Sequence, residues 1–198
     1  MNSANLLKTV LTKVALGCLL CGPALANTII MPTGVDWGRG EGLWIREDGV
    51  DTNAYFGGVI LLSISDGVQQ WSRDSLCVDL FTDIFLGQQY GTTILTPSEV
   101  PGKNLQRVSW LVDNALLPTQ VNGTSSALPS TQWVTTSAQG AGIQLAIWDI
   151  VHDGGDGFSS GRVQAVTDPA HPTDASVLAW ANLYESESLG RSSNLEPI

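Results

Sequence analysis

Hydrophobic residues along this chain follow two different periods, and the change comes near Pro101. Before it, short runs rich in β-branched and aromatic residues are separated by glycines and polar turns, which is typical of strands joined by hairpins. Asp66-Gly67 is a hairpin turn signal between two of these runs. The pattern predicts strands at residues 27–32, 42–46, 55–64, 68–81 and 90–95, a glycine-rich loop at 34–42 and a polar turn at 48–53.

After Pro101 the apolar residues recur at helical spacing. In the middle helical stretch, Ser137 is the predicted N-cap and Gly154-Gly155 the predicted stop. The pattern predicts helices at residues 104–117, 136–155 and 175–184, and a short strand at 162–166.

Strands followed by helices, with one strand among the helices, predict an α+β fold. We expect an antiparallel β-sheet or barrel with a helical layer packed against it. The length of 198 residues suits one domain. We expect this domain to span residues 27–185, and the polar residues 186–198 to form a flexible tail.

The first 26 residues have the form of a signal peptide. Lys8 and Lys13 precede a short apolar run at 14–20, and Ala24-Leu25-Ala26 has the small-x-small pattern of a cleavage site. The apolar run is too short to span a membrane. We therefore expect cleavage after Ala26 and a secreted or cell-surface protein with no membrane anchor.

Charge narrows the range of partners. Without Lys8 and Lys13, seven of the nine basic residues remain against nineteen acidic ones, a net charge of −12. A surface this acidic argues against nucleic acid and anionic membranes as partners, since both repel it.

Cysteine usage is the sharpest compositional feature. Two of the three cysteines lie in the predicted leader, so the mature chain keeps only Cys77. Cysteines of exported proteins meet oxidising conditions and usually pair. A single one is buried and inert, bonded to another chain, or chemically committed within its own chain.

Gln144 is the second candidate residue. It lies among apolar residues of the middle helix, with Trp148 one turn further along the same face. A buried glutamine must find hydrogen bonds or take part in chemistry. A thiolate held against its carboxamide can attack the carbonyl carbon, release ammonia and leave an internal thioester. Such a bond stores an acyl group for a lysine amine, provided that aromatic neighbours exclude water.

Two motifs carry a resemblance to a known family. Ile143-Gln144-Leu145-Ala146-Ile147-Trp148 resembles the glutamine motif of bacterial thioester domains, and Leu76-Cys77-Val78-Asp79 resembles their cysteine motif. The order also agrees, with the cysteine in the strand-rich half and the glutamine on a later helix.

The resemblance implies an adhesin-like or matrix-like protein that captures a protein or small-molecule amine covalently, without a cofactor and without enzymatic turnover. It implies a Cys77–Gln144 thioester, with shielding or support from Trp148, Ile147, Asp79 and His152. Self-association is left open. Lys103 is the single lysine of the predicted mature chain, which suits a protein carrying an electrophile.

Three other interpretations compete. A cysteine hydrolase would use Cys77, His152 and either Asp149 or Asp153, although nothing near Cys77 suggests the helix N-terminus that lowers a thiol pKa. A non-covalent binding or structural module would keep the cysteine as an inert core thiol. Residues 153–157 could present oxygens to calcium, but they lack the remaining EF-hand ligands, so we predict a turn there and no metal.

Overall fold

The structure is a computed structural model that describes residues 28–53, 56–93, 95–116 and 126–193. The predicted signal peptide at 1–26 lies outside these residues. The described chain forms two antiparallel sheets and three helices, so the predicted α+β class is confirmed.

The larger sheet has four strands in the order β5–β4–β1–β6, all antiparallel. One face of it forms a small apolar layer of Ile30, Ile60, Leu62 and Ile64. Its strands are β1 (Thr28–Glu41), β4 (Gly57–Ser65), β5 (Gln70–Ser75) and β6 (Tyr90–Thr92).

Strand β1 differs from the sequence prediction. The glycine-rich stretch at 34–42 was predicted to be a loop, yet most of it is the second half of this strand, which pairs with β4. Two register shifts, at Pro32/Gly34 and Val35/Gly40, interrupt its pairing with β4. Glycine and proline are tolerated in a strand at such bulges, which explains why their presence was misread as a loop.

The smaller sheet has the order β3–β2–β7. Asp48 and Gly49 both have positive φ, so they form a two-residue hairpin turn, and the predicted polar turn at 48–53 is this turn plus a strand. The third strand comes from the helical half of the chain, so the two halves share this sheet. The strands are β2 (Trp44–Glu47), β3 (Val50–Asn53) and β7 (Val163–Ala165).

Three helices follow, as predicted, in the second half of the chain. They are α1 (Leu105–Leu111), which continues as a π-helical segment at Val112–Leu116, α2 (Ser137–His152) and α3 (Ala175–Ser188). The N-cap of α2 is Thr136, one residue before the predicted Ser137. Thr136 and Gln139 form a reciprocal capping box, which satisfies donors at both positions.

The predicted domain boundary at residue 185 lies inside α3, which continues to Ser188. Ser188 is fully buried and accepts a hydrogen bond from Arg107 of α1. The Ser193 N–H donates to the carbonyl of Gln106. The part of the expected tail that the structure describes is therefore held against α1.

Helix α2 is the centre of the fold. All of its residues from 139 to 151 are buried, because it packs on β1 and β4 on one side and on α3 on the other. A helix surrounded in this way is buried on every face and shows no amphipathic stripe. Within the described ranges, no helix combines the length and apolar character needed to cross a bilayer.

Two glycines allow this close packing. A Cβ at Gly140 would lie 1.9 Å from the Arg39 carbonyl oxygen, and one at Gly142 would lie 2.5 Å from Trp180 Cβ. We expect Gly140→Ala and Gly142→Ala each to lower the free energy of unfolding by about 1–3 kcal/mol, because the backbones must separate. Urea unfolding followed by tryptophan fluorescence measures this change.

The matched control is Gly91→Ala in β6, where an added Cβ meets nothing within 4 Å. Its effect should stay within about 0.5 kcal/mol. Equal unfolding midpoints for Gly140→Ala and Gly91→Ala would contradict the packing described for α2.

Candidate functional site

Cys77 lies just beyond the larger sheet. The sequence predicted it near the end of a hairpin arm at 68–81, but β5 ends at Ser75. The residues that follow leave the sheet and turn towards α2, where the backbone of Cys77 bonds to a side chain of that helix. The flanking Leu76 and Val78 are buried and anchor the segment in the main core.

The carboxamide of Gln144 meets Cys77 through two hydrogen bonds. The Cys77 N–H donates to Oε1 over 2.9 Å, and Nε2 donates to the Cys77 carbonyl over 2.5 Å. Gln144 is 1 % exposed. The pair of bonds fixes both the position and the orientation of the amide plane beside Cys77.

This arrangement polarises the Gln144 carbonyl. A backbone N–H aimed at Oε1 stabilises negative charge on that oxygen, which is the charge that develops when a nucleophile adds to the carbonyl carbon. Cys77, which supplies this N–H, also carries a thiol, and a thiol is a potential nucleophile. The Gln144 amide is therefore polarised by the same residue that carries the thiol.

The half-buried thiol of Cys77 donates to the Asp79 carbonyl oxygen over 3.1 Å. The Asp79 carboxylate does not contact the thiol in this way. It accepts hydrogen bonds from the Phe81 N–H and the Thr82 hydroxyl, which close a turn. Asp79 thus contacts the thiol through its main chain, and its carboxylate holds the loop in shape.

Ile147 and Trp148 follow Gln144 by three and four residues on α2, so they share its face of the helix. Ile147 is fully buried and Trp148 is 4 % exposed. From the sheet side, Gly57 brings the backbone close, because a Cβ there would lie 3.0 Å from Leu43 and 3.8 Å from Gln144 Cγ. Leu43 and Gly57 were missed in the sequence, where only the glycine pair at 57–58 hinted at a close approach.

His152 lies away from the amide. It shares a helix face with Gln144 and Trp148, but eight residues of α-helix separate it from Gln144 by about 12 Å along the axis. Its ring packs edge-on against Phe81 at 4.6 Å, and Arg162 stacks on the same Phe81 ring at 4.2 Å. The ring therefore anchors the far end of the loop that carries Cys77.

A cysteine hydrolase needs a hydrogen bond between imidazole and thiol and a second one that orients the imidazole. Both ring nitrogens of His152 are buried, and neither has a hydrogen-bond partner among the described residues. The structure thus brings Cys77 and Gln144 together and does not form the hydrolase constellation around His152.

Asp149 and Asp153, the two aspartates considered for the hydrolase, have other contacts. Asp149 is fully buried and faces Glu185 of α3, and Asp153 accepts from the N–H groups of Arg162 and Val163. Burial raises the pKa of Asp149 to about 6 and that of Glu185 to about 9. Oxygen atoms of Asp149, Asp153 and Asp156 lie within 4.8 Å of one another, in the cluster where a cation could be held.

A scan against protein-family models gave no match, and searches of curated proteins and of solved structures found no similar protein. The functional argument therefore rests on the geometry of the site and on its chemistry.

The environment of His152 generates a pH prediction. Burial, and then the positive charges of Lys103 and Arg162, lower its pKa below the ordinary 6.5. The folded state therefore favours neutral imidazole, and the unfolded chain binds the proton more tightly. The neutral His152 imidazole contributes its full stabilisation of the folded state above pH 6.5. This stabilisation is lost as the pH falls through the lower pKa that His152 has in the folded state.

We expect His152→Gln to lose less stability than the wild type when the pH is lowered from 7 to 5, measured by urea unfolding at each pH. His171→Gln is the control, because His171 is exposed and stacks on Trp44. Its pH dependence should follow that of the wild type. Parallel curves for wild type and His152→Gln would show that this imidazole is not held neutral by the fold.

Proposed function

We propose that this protein forms an internal thioester between Cys77 and Gln144 and uses it to capture amines covalently. The observation that carries the proposal is the pair of hydrogen bonds between the buried Gln144 amide and the main chain of Cys77. Those bonds supply the proximity and the carbonyl polarisation on which acyl transfer from an amide depends.

The forming step balances as follows. The Cys77 thiol gives up its proton, the sulfur adds to Cδ of Gln144, and a carbon–sulfur bond forms. The carbon–nitrogen bond of the carboxamide then breaks, and the nitrogen leaves as ammonia with the proton from the thiol. The thiol first has to leave its hydrogen bond to the Asp79 carbonyl.

The capture step reverses the sulfur chemistry. A neutral amine adds to Cδ, the carbon–sulfur bond breaks, and Cys77 regains a thiol with a proton from the amine. The product is an amide between the side chain of residue 144 and the amine donor. Ile147 and Trp148, together with the buried Leu76 and Val78, keep water from hydrolysing the stored bond.

The resemblance of both motifs to bacterial thioester domains supports the same chemistry and extends it to a biological role. In that role the protein is exported and binds a protein or small-molecule amine on a surface or in a matrix, in the manner of an adhesin. It reacts once and does not turn over. The acidic mature chain fits such a role better than binding to nucleic acid.

A non-covalent module remains the competing function, because the same two hydrogen bonds also satisfy the polar atoms of a structural glutamine. In that case the thiol and the amide stay intact side by side. The two functions differ in covalent composition, so mass separates them.

We expect the freshly purified, never-denatured protein to have an intact mass lower than its sequence mass by one ammonia molecule. Cys77→Ala and Gln144→Ala should each show the full mass of their sequences. Gln106→Glu is the matched control, since Gln106 is an exposed glutamine of α1, and it should still show the deficit. Intact-protein mass spectrometry measures all four.

Methylamine should add to residue 144 of the wild type and expose a Cys77 thiol that labels with iodoacetamide. Full mass together with no amine adduct would refute the thioester and leave the non-covalent module. Full mass with a Cys77 that labels before amine treatment, and with hydrolysis of a thiol-protease substrate, would favour the cysteine hydrolase.

A further inference from the structure

The indole N–H of Trp148 is a buried donor without an acceptor. Trp148 is 4 % exposed, and among the described residues its Nε1 has no hydrogen-bond partner. The other buried side-chain atoms in this position are oxygens, which accept, and the ring nitrogens of His152, whereas an indole nitrogen can only donate. A buried donor that stays unpaired destabilises the folded state, so its retention calls for an explanation.

Helix α2 directs this indole towards the Gln144 amide. Trp148 follows Gln144 by four residues, so the two side chains are neighbours on one face of the helix. Long side chains in a helix point back towards its N-terminus and cover the turn before them. For Trp148, that turn begins at Gln144. The unpaired N–H therefore belongs to the side chain that extends over the carboxamide.

The oxygen of that carboxamide can accept a second hydrogen bond. Within the described part of the chain, Oε1 of Gln144 accepts one bond, from the Cys77 N–H over 2.9 Å. A carbonyl oxygen has two lone pairs, so one acceptor position is left. Sites of acyl transfer usually aim more than one donor at this oxygen, because it becomes an oxyanion when a nucleophile adds.

We propose that the Trp148 N–H is the second donor to the Gln144 carbonyl oxygen during acyl transfer. This role rests on the thioester proposed above, since it assigns one more residue to that reaction. A hydrogen bond that forms only as negative charge develops stabilises the transition state and not the ground state, and only such a difference accelerates a reaction. A donor that is unpaired beside the resting amide meets this requirement.

The same oxygen takes the charge in both steps. When the Cys77 sulfur adds to Cδ, the π electron pair of the carbonyl moves onto Oε1. It returns when the carbon–nitrogen bond breaks and the nitrogen leaves as ammonia with the thiol proton. In the capture step the amine adds to Cδ, and the electron pair moves onto the oxygen again. It returns when the sulfur leaves and takes a proton from the amine, while the indole keeps its own proton throughout.

A donor role and a shielding role for Trp148 predict opposite changes in rate. Loss of a shield lets water and amines reach the thioester more easily, so both reactions become faster. Loss of an oxyanion donor leaves the charged oxygen less stable, so both reactions become slower. A replacement that keeps the shape of the indole and removes its N–H therefore separates the two roles.

The test places β-(3-benzothienyl)alanine at position 148 of the full chain, which keeps the bicyclic shape and has sulfur where the indole has its N–H. Methylamine is the probe, and intact-protein mass spectrometry follows its addition to the species that lacks one ammonia. We expect capture to slow by about 10²–10³-fold, the usual effect of removing one oxyanion donor. Trp148→Phe, which also lacks the N–H, is the second variant and should slow capture as well.

The matched control is Trp133, whose Nε1 donates to the Leu128 carbonyl over 3.2 Å. The same replacement at position 133 should lower the urea midpoint, followed by circular dichroism, and leave methylamine capture at the wild-type rate. At position 148 the replacement should not lower the urea midpoint of the Cys77→Ala chain, in which no thioester can form. The reason is that an unpaired N–H has no hydrogen bond to lose.

Capture at or above the wild-type rate by both variants at position 148 would overturn this role for Trp148 and leave the thioester in place. A wild type with neither the mass deficit nor a methylamine adduct would instead remove the proposed function, and the role of Trp148 with it.

Discussion

The close packing of α2 against the backbone of β1 holds the candidate site together. Gly140 lies on the carbonyl of Arg39, and the side chain of Arg39 forms ion pairs of 2.7 Å with Asp36 and Asp74. Asp74 is near the end of β5, three residues before Cys77. A single contact between helix and strand is therefore linked, through one arginine, to the segment that meets Gln144. The contact between Gly140 and the Arg39 carbonyl sets the distance between α2 and β1, and the ion pair between Arg39 and Asp74 connects β1 to the strand that leads to Cys77.

The second constraint is that polar groups inside the core need hydrogen-bond partners. The main chain of Cys77 has left the sheet, and its N–H and carbonyl both form hydrogen bonds with the Gln144 amide. A buried backbone group without a partner costs about 1–3 kcal/mol. In the proposed reaction the two bonds have different fates. The bond to Oε1 persists through addition of sulfur, whereas the bond from Nε2 is lost when the nitrogen leaves.

Sequence patterns predicted the class of fold and the proximity of Cys77 to Gln144, for physical reasons that can be named. The change of period at Pro101 separates strands from helices, and the single cysteine that follows the predicted signal peptide draws attention to Cys77. The features that the sequence did not predict depend on tertiary structure. The bulged half of β1 looks like a loop because bulges accept glycine, and the pairing of β7 with β2 joins residues more than a hundred positions apart. Glu185 could not be placed beside Asp149 because no spacing along one helix connects them.

The separation of Cys77 and Gln144 has a consequence for the unfolded chain. The two residues are 67 positions apart, one in the strand half and one in the helical half. A covalent bond between them would close a loop of that length in the unfolded chain. The entropy that the unfolded chain loses in this way stabilises the folded state by roughly 4 kcal/mol. The proposed bond would therefore act as a staple as well as a reactive group, and capture of an amine would open the staple at the moment the target is bound.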